Sequence, residues 1–339
     1  MFYKVEKIIK DALHSLLGDW YYFLYDEQKH EKALIRKCYI DVSPNNLNNK
    51  TVIFMANGFC NHAGLCDRFK GMTTLYGWCK ENKIDFRIYH VHPFNLDDYI
   101  IPNLYDWQIS NEHISYNKKQ VSVNHCMLNQ LVKKQIQSGE ISSLEHKWFI
   151  NRLFKTNKKQ LHFYTNMYPE SDQLFGIYFR ELFKPSLRVE KEIKNHLKHI
   201  GQEYISVSFR FMQLLGDFKD CDGRILLDNQ QELLIHKSTN ILYNIKEQNP
   251  DVERMLVTSD SMKFLQAARQ LPFVYIIKGE IGHINFIHSD EVNMKTFLDF
   301  YMIANAKKIY LAKSGEMYNS DFARRASMIY NKPFEIVDY

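Results

Sequence analysis

Thr51-Val52-Ile53-Phe54-Met55 is a short apolar run, β-branched near its start and closed by Asn57-Gly58. That pattern predicts a strand buried on both faces and ended by a turn. From Leu65 to Asn82 apolar and basic residues recur at helical spacing, and Asp85 to Val91 reads as a second strand closed by Pro93. Strand, glycine-containing loop, helix and strand form a βαβ unit, whose crossover forces the two strands to run parallel.

The alternation continues along the chain. Leu161 to Thr165 reads as a strand, Gly176 to Phe183 as a helix stopped at Pro185, and Val189 to His199 as a helix. Strands follow at Tyr204 to Phe211, Arg254 to Thr258, Phe273 to Ile277 and Lys308 to Leu311. Helices separate or follow them at Gln231 to Gln248, Ser261 to Gln270, Lys295 to Ala304 and Ser320 to Tyr330. A chain of 339 residues exceeds what one core usually organises. Two α/β halves without internal repetition predict two facing Rossmann-like domains rather than one long sheet. The first spans 1–185, with a polar, basic helical insertion near 111–160, and the second spans 186–339. Their junction is expected at Lys184-Pro185-Ser186.

Upstream, Ser43-Pro44-Asn45-Asn46 reads as a loop, and Met1 to Trp20 as an amphipathic helix carrying Lys4, Glu6, Lys7, Lys10 and Asp11. This is neither a cleavable signal nor a membrane span, and no other stretch reaches transmembrane length. The expectation is a cytoplasmic protein whose membrane contact, at the inner face, is peripheral. Six cysteines, at 38, 60, 66, 79, 126 and 221, form no Cys-x-x-Cys pair and read as reduced thiols. Part of the excess behind the formal charge of +5 sits in Lys118, Lys119, Lys133, Lys134, Lys147, Arg152, Lys155, Lys158 and Lys159, opposed there by Glu112, Glu140 and Glu145. Without a helix-turn-helix, RNA-recognition or zinc-finger pattern, this charge reads as a solvated surface and nucleic acid is not expected as a partner.

Three loops fall at the carboxyl ends of predicted strands, the edge where open α/β sheets bind ligands. The first runs from Asn57 to Gly71 and holds Gly58, His62, Gly64, Asp67 and Arg68. Its glycines allow tight turning, and the helix beyond offers free N–H groups to an anion. It is neither a dinucleotide fingerprint nor a P-loop, and it is equally a turn with a surface Asp-Arg pair. The second is Ile205-Ser206-Val207-Ser208-Phe209-Arg210-Phe211, followed by Asp217. An arginine in an apolar strand needs an anionic partner. The partner is either a diphosphate, gripped in bidentate fashion, or a neighbouring carboxylate. The third, Thr258-Ser259-Asp260-Ser261, offers ordinary helix caps that are also suited to a base or ribose. Ser314 and Ser320 follow a later strand.

In this order the loops resemble the fucosyltransferase superfamily that contains the nodulation fucosyltransferase, the α-1,6-fucosyltransferase and the protein O-fucosyltransferases. The resemblance sets Arg210 at the family's essential arginine, Thr258-Ser259-Asp260 at its Thr-Asp-Asp strand end, and Ser314 or Ser320 at its late serine segment. Gly64 to Gly71 is similar to the Gly-x-x-Asp-Arg-x-x-Gly loop of some bacterial relatives. A GT-B fold, a GDP-sugar donor (fucose first), inversion at the anomeric centre and no metal or other cofactor are what the resemblance implies. The acceptor it implies is a glycan or lipid-linked oligosaccharide, as in bacterial surface polysaccharide synthesis. The chain departs from the pattern at Ser208, where many relatives carry histidine, and at Phe211, where they carry a second arginine. The first departure bears on guanine recognition and the second on the phosphate clamp.

An inverting transfer needs a base for the acceptor hydroxyl and positive charge or dipoles for the departing diphosphate. Arg210 is the candidate for the charge; Asp67, Asp217 and His62 are candidates for the base. Gly58, Gly64, Arg68, Ser208, Ser259, Asp260, Ser261, Ser314 and Ser320 are candidates to hold the donor. The rival reading is a non-catalytic nucleotide-sugar or carbohydrate-binding protein on the same fold. A nicotinamide enzyme is disfavoured by the missing glycine fingerprint.

Overall fold

Backbone groups that leave water must pair with one another, and the buried apolar runs do so by forming two parallel sheets. The computed structural model describes residues 12–13, 15, 27–41, 49–127, 154–166, 171–218, 223–283 and 289–339. Most of the expected N-terminal helix, the loop at 43–46, residues 128–153 of the expected insertion, and Cys221 lie outside them. The described residues divide into two compact units. One holds those up to Ala63, Asp67–His92, and those from Asp106 to Asn166; the other holds Gly64–Cys66, Pro93–Tyr105 and Ser171–Tyr339.

In the first unit, α1 (Glu27–Cys38) packs on a sheet built from β1 (Thr51–Ala56), β2 (Asp85–His90), β4 (Val121–Cys126) and β5 (Gln160–Thr165). The strand order is β2-β1-β5-β4, all parallel, with Thr51 opposite Asp85 on one side and Gln160 on the other. Helix α2 (Leu65–Asn82) makes the crossover from β1 to β2. It packs so closely that a β-carbon on Gly71 would lie 2.4 Å from the Thr165 carbonyl oxygen, so only glycine fits. Because the chain steps from β1 to β2 on one side and returns through β4 and β5 on the other, its switch point lies between the carboxyl ends of β1 and β5.

The second unit has a five-stranded parallel sheet in the order β11-β10-β7-β8-β9. The strands are β7 (Tyr204–Phe209), β8 (Arg254–Ser259), β9 (Val274–Tyr275), β10 (Lys308–Lys313) and β11 (Phe334–Asp338). Between them run α5 (Asp228–Glu247), α6 (Met262–Ala268), α7 (Asp290–Asn305) and α8 (Asp321–Ile329). Also in this unit are α3 (Asp172–Leu182), α4 (Leu187–Ile200), and a small antiparallel pair, β3 (Ile100–Pro102) with β6 (Phe183–Pro185). Arg324 and Arg325 of α8 grip Asp172 at the start of α3. The chain builds β8 and β9 on one side of β7, then β10 and β11 on the other, so its switch point lies between the carboxyl ends of β7 and β10.

This is the doubly wound α/β architecture expected, twice over. The strand Val121–Cys126 corrects one local reading, since it falls within the stretch expected to be helical. Its Val-x-Val-x-x-Cys pattern is buried within the first unit, but polar Lys118, Lys119 and Gln120 beside it masked the alternation. Strand β7 stops at Phe209, so Arg210 and Phe211 lie just past its end rather than inside it. Neither α1 nor β11 was read from the sequence.

Candidate active site

Arg210 is the first residue beyond the carboxyl end of β7. Its neighbours Phe209 and Phe211 stack on each other, with ring centroids 6.0 Å apart, and both pack on Phe264 of α6. That anchoring leaves the arginine to reach elsewhere. Its guanidinium lies 3.3 Å from the Asp260 carboxylate and 4.7 Å above the Phe218 ring, with 22% of the side chain exposed.

Asp260, at the carboxyl end of β8, organises this loop. Its two oxygens accept from the backbone N–H groups of Phe211 (2.8 Å) and Met212 (2.7 Å). Met212 is held at φ +54°, a left-handed conformation that costs a non-glycine residue about 1–2 kcal/mol. Burial pushes the Asp260 carboxyl up, while Arg210 and the two amides pull it back down. Beneath it, Ser208 and Thr258 share a buried hydroxyl–hydroxyl bond of 2.8 Å, as their directly paired strand register requires.

The same loop is tied down at its far end. Asp217 Oδ2 accepts from the Ser261 hydroxyl (2.9 Å) and the Lys263 N–H (2.8 Å), while Lys263 Nζ donates to the Leu215 carbonyl. Ser261 in turn caps α6 by accepting from Phe264 N–H, and Ser259 accepts from Ser261 N–H. On the other side of the switch point, the loop after β10 carries Ser314, Gly315 (φ +53°) and Glu316. It is joined to the β7 loop by the Tyr318 N–H, which donates to the Arg210 carbonyl at 3.1 Å. Ser320 caps α8. The structure thus gathers Arg210, Asp260, Asp217, Ser208, Ser259, Ser261 and Ser314 at one sheet edge, with Ser320 one turn further on.

The remaining candidates lie in the first unit at or beside its switch point, apart from Gly64, which belongs to the second unit. Gly58 turns the chain after β1 at φ +85°, its α-carbon close against His92. Asn57 donates to the hydroxyls of Tyr116 (3.3 Å) and Tyr164 (3.4 Å), and Tyr39 bridges Tyr164 and His162. His62 is buried against Phe54 and Tyr164, and burial together with the Arg68 charge pulls it down to about 3. Arg68, also buried, donates to the Ala63 and His92 carbonyls and meets His90 Nε2; burial draws its guanidinium down to about 10. Gly64 immediately precedes α2, and Asp67, a third exposed, pairs with Lys70 one turn on.

Sequence reasoning missed Phe218, Glu316 and the Tyr39–Tyr116–Tyr164 cluster. Aromatic abundance was the only trace of the cluster, and it carried no position. Among the described residues no group of three His, Cys, Asp or Glu side chains is placed to hold a metal, and no helix is long and apolar enough to cross a membrane.

No protein-family model matches the chain, and no curated protein matches its sequence. Solved structures do match its fold. FUT1 from Arabidopsis thaliana, an arginine-to-lysine mutant in complex with GDP, superposes with a TM-score of 0.52 at 12% identity, over 98% of this chain and 78% of that one. NodZ alpha-1,6-fucosyltransferase soaked with GDP-fucose gives 0.49 at 12%, over 83% and 93%. POFUT1 in complex with GDP gives 0.49 at 9%, over 87% and 99%. The fold is therefore of the GT-B type, like that of plant FUT1.

Proposed function

We propose that this protein is an inverting glycosyltransferase that takes its sugar from a GDP-sugar, GDP-fucose first, and needs no metal. The observation that carries the reading is Arg210. It is a partly exposed guanidinium at the switch point of a five-stranded parallel sheet, oriented by Asp260 on a loop that is itself pinned at both ends. Such a fork matches the terminal phosphate of a nucleoside diphosphate.

In the transfer, the acceptor hydroxyl attacks the anomeric carbon from the face opposite the diphosphate. The bond from that carbon to the β-phosphate oxygen breaks, and its electron pair leaves with the diphosphate, where Arg210 meets the growing charge. The hydroxyl proton goes to a base, for which Asp67, Asp217 and His62 are the candidates. Asp217 caps α6 through Oδ2 while its Oδ1 makes no hydrogen bond among the described residues, and a histidine held near 3, as His62 is, takes up a proton poorly at neutral pH. The acceptor we propose is a glycan, free or lipid-linked.

The test is GDP release from GDP-fucose in the presence of candidate glycans, with GDP-mannose and UDP-sugars as controls. Acceptor-dependent release supports the reading. GDP binding with no release under any acceptor makes the protein a binder on an enzyme's fold.

A further inference from the structure

Resting on the reading of a GDP-sugar donor, we infer that the guanine base is read in a concavity of the second unit, by the carboxylate of Glu316. The concavity measures about 280 Å³ and is lined by Leu214, Leu226, Leu233 and Leu234 together with polar side chains that include Arg224, Lys237 and Glu316.

The argument begins with what the strand ends hold. Ser208 stands where relatives carry a histidine, and its hydroxyl is buried on Thr258. Asp260 has both oxygens on the amides of Phe211 and Met212 and is also paired with Arg210. Both side chains are buried, so neither reaches a base edge unless the loop that orients Arg210 opens. This concavity sets apolar walls, which suit the faces of a base, beside a carboxylate acceptor. It lies against the same two loops as Arg210: Leu214 follows β7, Leu226 donates its N–H to the Leu214 carbonyl, and Glu316 is two residues before the Tyr318 amide that holds the Arg210 carbonyl.

The chemistry selects one base. A carboxylate only accepts, so it matches an edge that only donates. Guanine presents N1–H and its 2-amino group side by side. Adenine offers an acceptor at N1, and uracil flanks its single N–H with two carbonyls that repel an anion. Arg224 donates to Glu316 Oε2 at 2.6 Å and so orients the carboxylate, both residues lining the concavity. Each carboxylate oxygen can accept two bonds, which leaves capacity for both guanine donors. The leucines give the purine apolar faces, as small-ligand sites generally do.

The experiment is calorimetry on the full chain with GDP, inosine diphosphate, UDP and pyrophosphate, comparing the wild type with Glu316→Gln and Leu233→Trp. Both substitutions fall on exposed side chains, so folding should survive, as circular dichroism can verify. Glu316→Gln should weaken GDP roughly 10- to 100-fold, the cost of a charged hydrogen bond. It should also shrink the preference for GDP over inosine diphosphate, which lacks the 2-amino group, and leave pyrophosphate unchanged. Leu233→Trp, which fills the concavity, should weaken both purine diphosphates and spare pyrophosphate. If both variants bind GDP like the wild type with the same preference, the base lies elsewhere, and the donor assignment stands without this site. If the wild type binds no GDP, the donor reading fails first and takes this inference with it.

Discussion

Arg210 shows how a side chain that is a liability by itself becomes a tool. Left alone at an apolar strand end it would be costly; paired with Asp260 it is oriented while still reaching solvent. The sequence could pose the choice between phosphate clamp and structural ion pair, but not that Asp260 would orient the guanidinium and fold the following loop together. Two outcomes follow from this geometry. Arg210→Ala should lower kcat/KM for the donor by an amount equivalent to about 2–5 kcal/mol, with folding intact by circular dichroism, and Arg210→Lys should recover little because an ammonium lacks the fork. Asp260→Asn sets an NH₂ group against a backbone N–H it cannot bond. It should lower both melting temperature and donor affinity, by about 1–3 kcal/mol of lost hydrogen bonding. A variant at Asp260 that keeps full affinity would show that the loop does not position Arg210.

Individual helices and strands were legible where the pattern was long or fully apolar. Leu65–Asn82 has the same bounds in the structure as in the sequence reading, because apolar residues run along its length and burial on nearly every side outweighs Gly71 and Gly77. β4 was lost because a six-residue strand with Ser, Asn and His in it has no pattern that outweighs polar neighbours. The glycine-rich loop was legible as a turn, but the reason for Gly71 was not, since it depends on Thr165, nearly a hundred residues away. Gly71→Ala should therefore destabilise the protein. A helix interior gains about 1 kcal/mol from alanine over glycine, but a β-carbon 2.4 Å from a backbone oxygen forces a shift costing about 1–3 kcal/mol. Chemical denaturation reads the sign, and a more stable variant would show that α2 has room to move. Of the histidines buried in the same unit, His62 and His162 are each drawn down to about 3, chiefly by burial. In the unfolded chain they titrate near 6.5, so that state binds more protons between about pH 3 and 6.5. Their contribution is complete above 6.5 and is lost as pH falls, by about 1.4 kcal/mol per pH unit for each histidine. Melting followed from pH 7 to pH 4.5 should show this slope, and His162→Gln should flatten it; an unchanged slope in that variant would place the acid sensitivity elsewhere.

For the molecule as a whole, two α/β halves could be read from alternation alone. Their strand orders could not, because order depends on which edge each crossover returns to. Those orders matter most for function, since they fix where each switch point falls and hence why the loops after β7 and β10 meet, Tyr318 N–H on the Arg210 carbonyl. Ligand binding to the native state raises its stability by about 2.7 kcal/mol at a hundredfold excess over Kd, so GDP should raise the melting temperature, and chelator should not reverse the rise. The donor site stands or falls on a calorimetric titration of the full chain with GDP and with UDP in excess chelator, repeated on Arg210→Ala. Saturable GDP binding in the wild type, with UDP much weaker and the folded Arg210→Ala protein roughly 30-fold weaker or more, is the expected result. Saturable UDP binding without GDP binding, or GDP binding indifferent to Arg210→Ala, would contradict it.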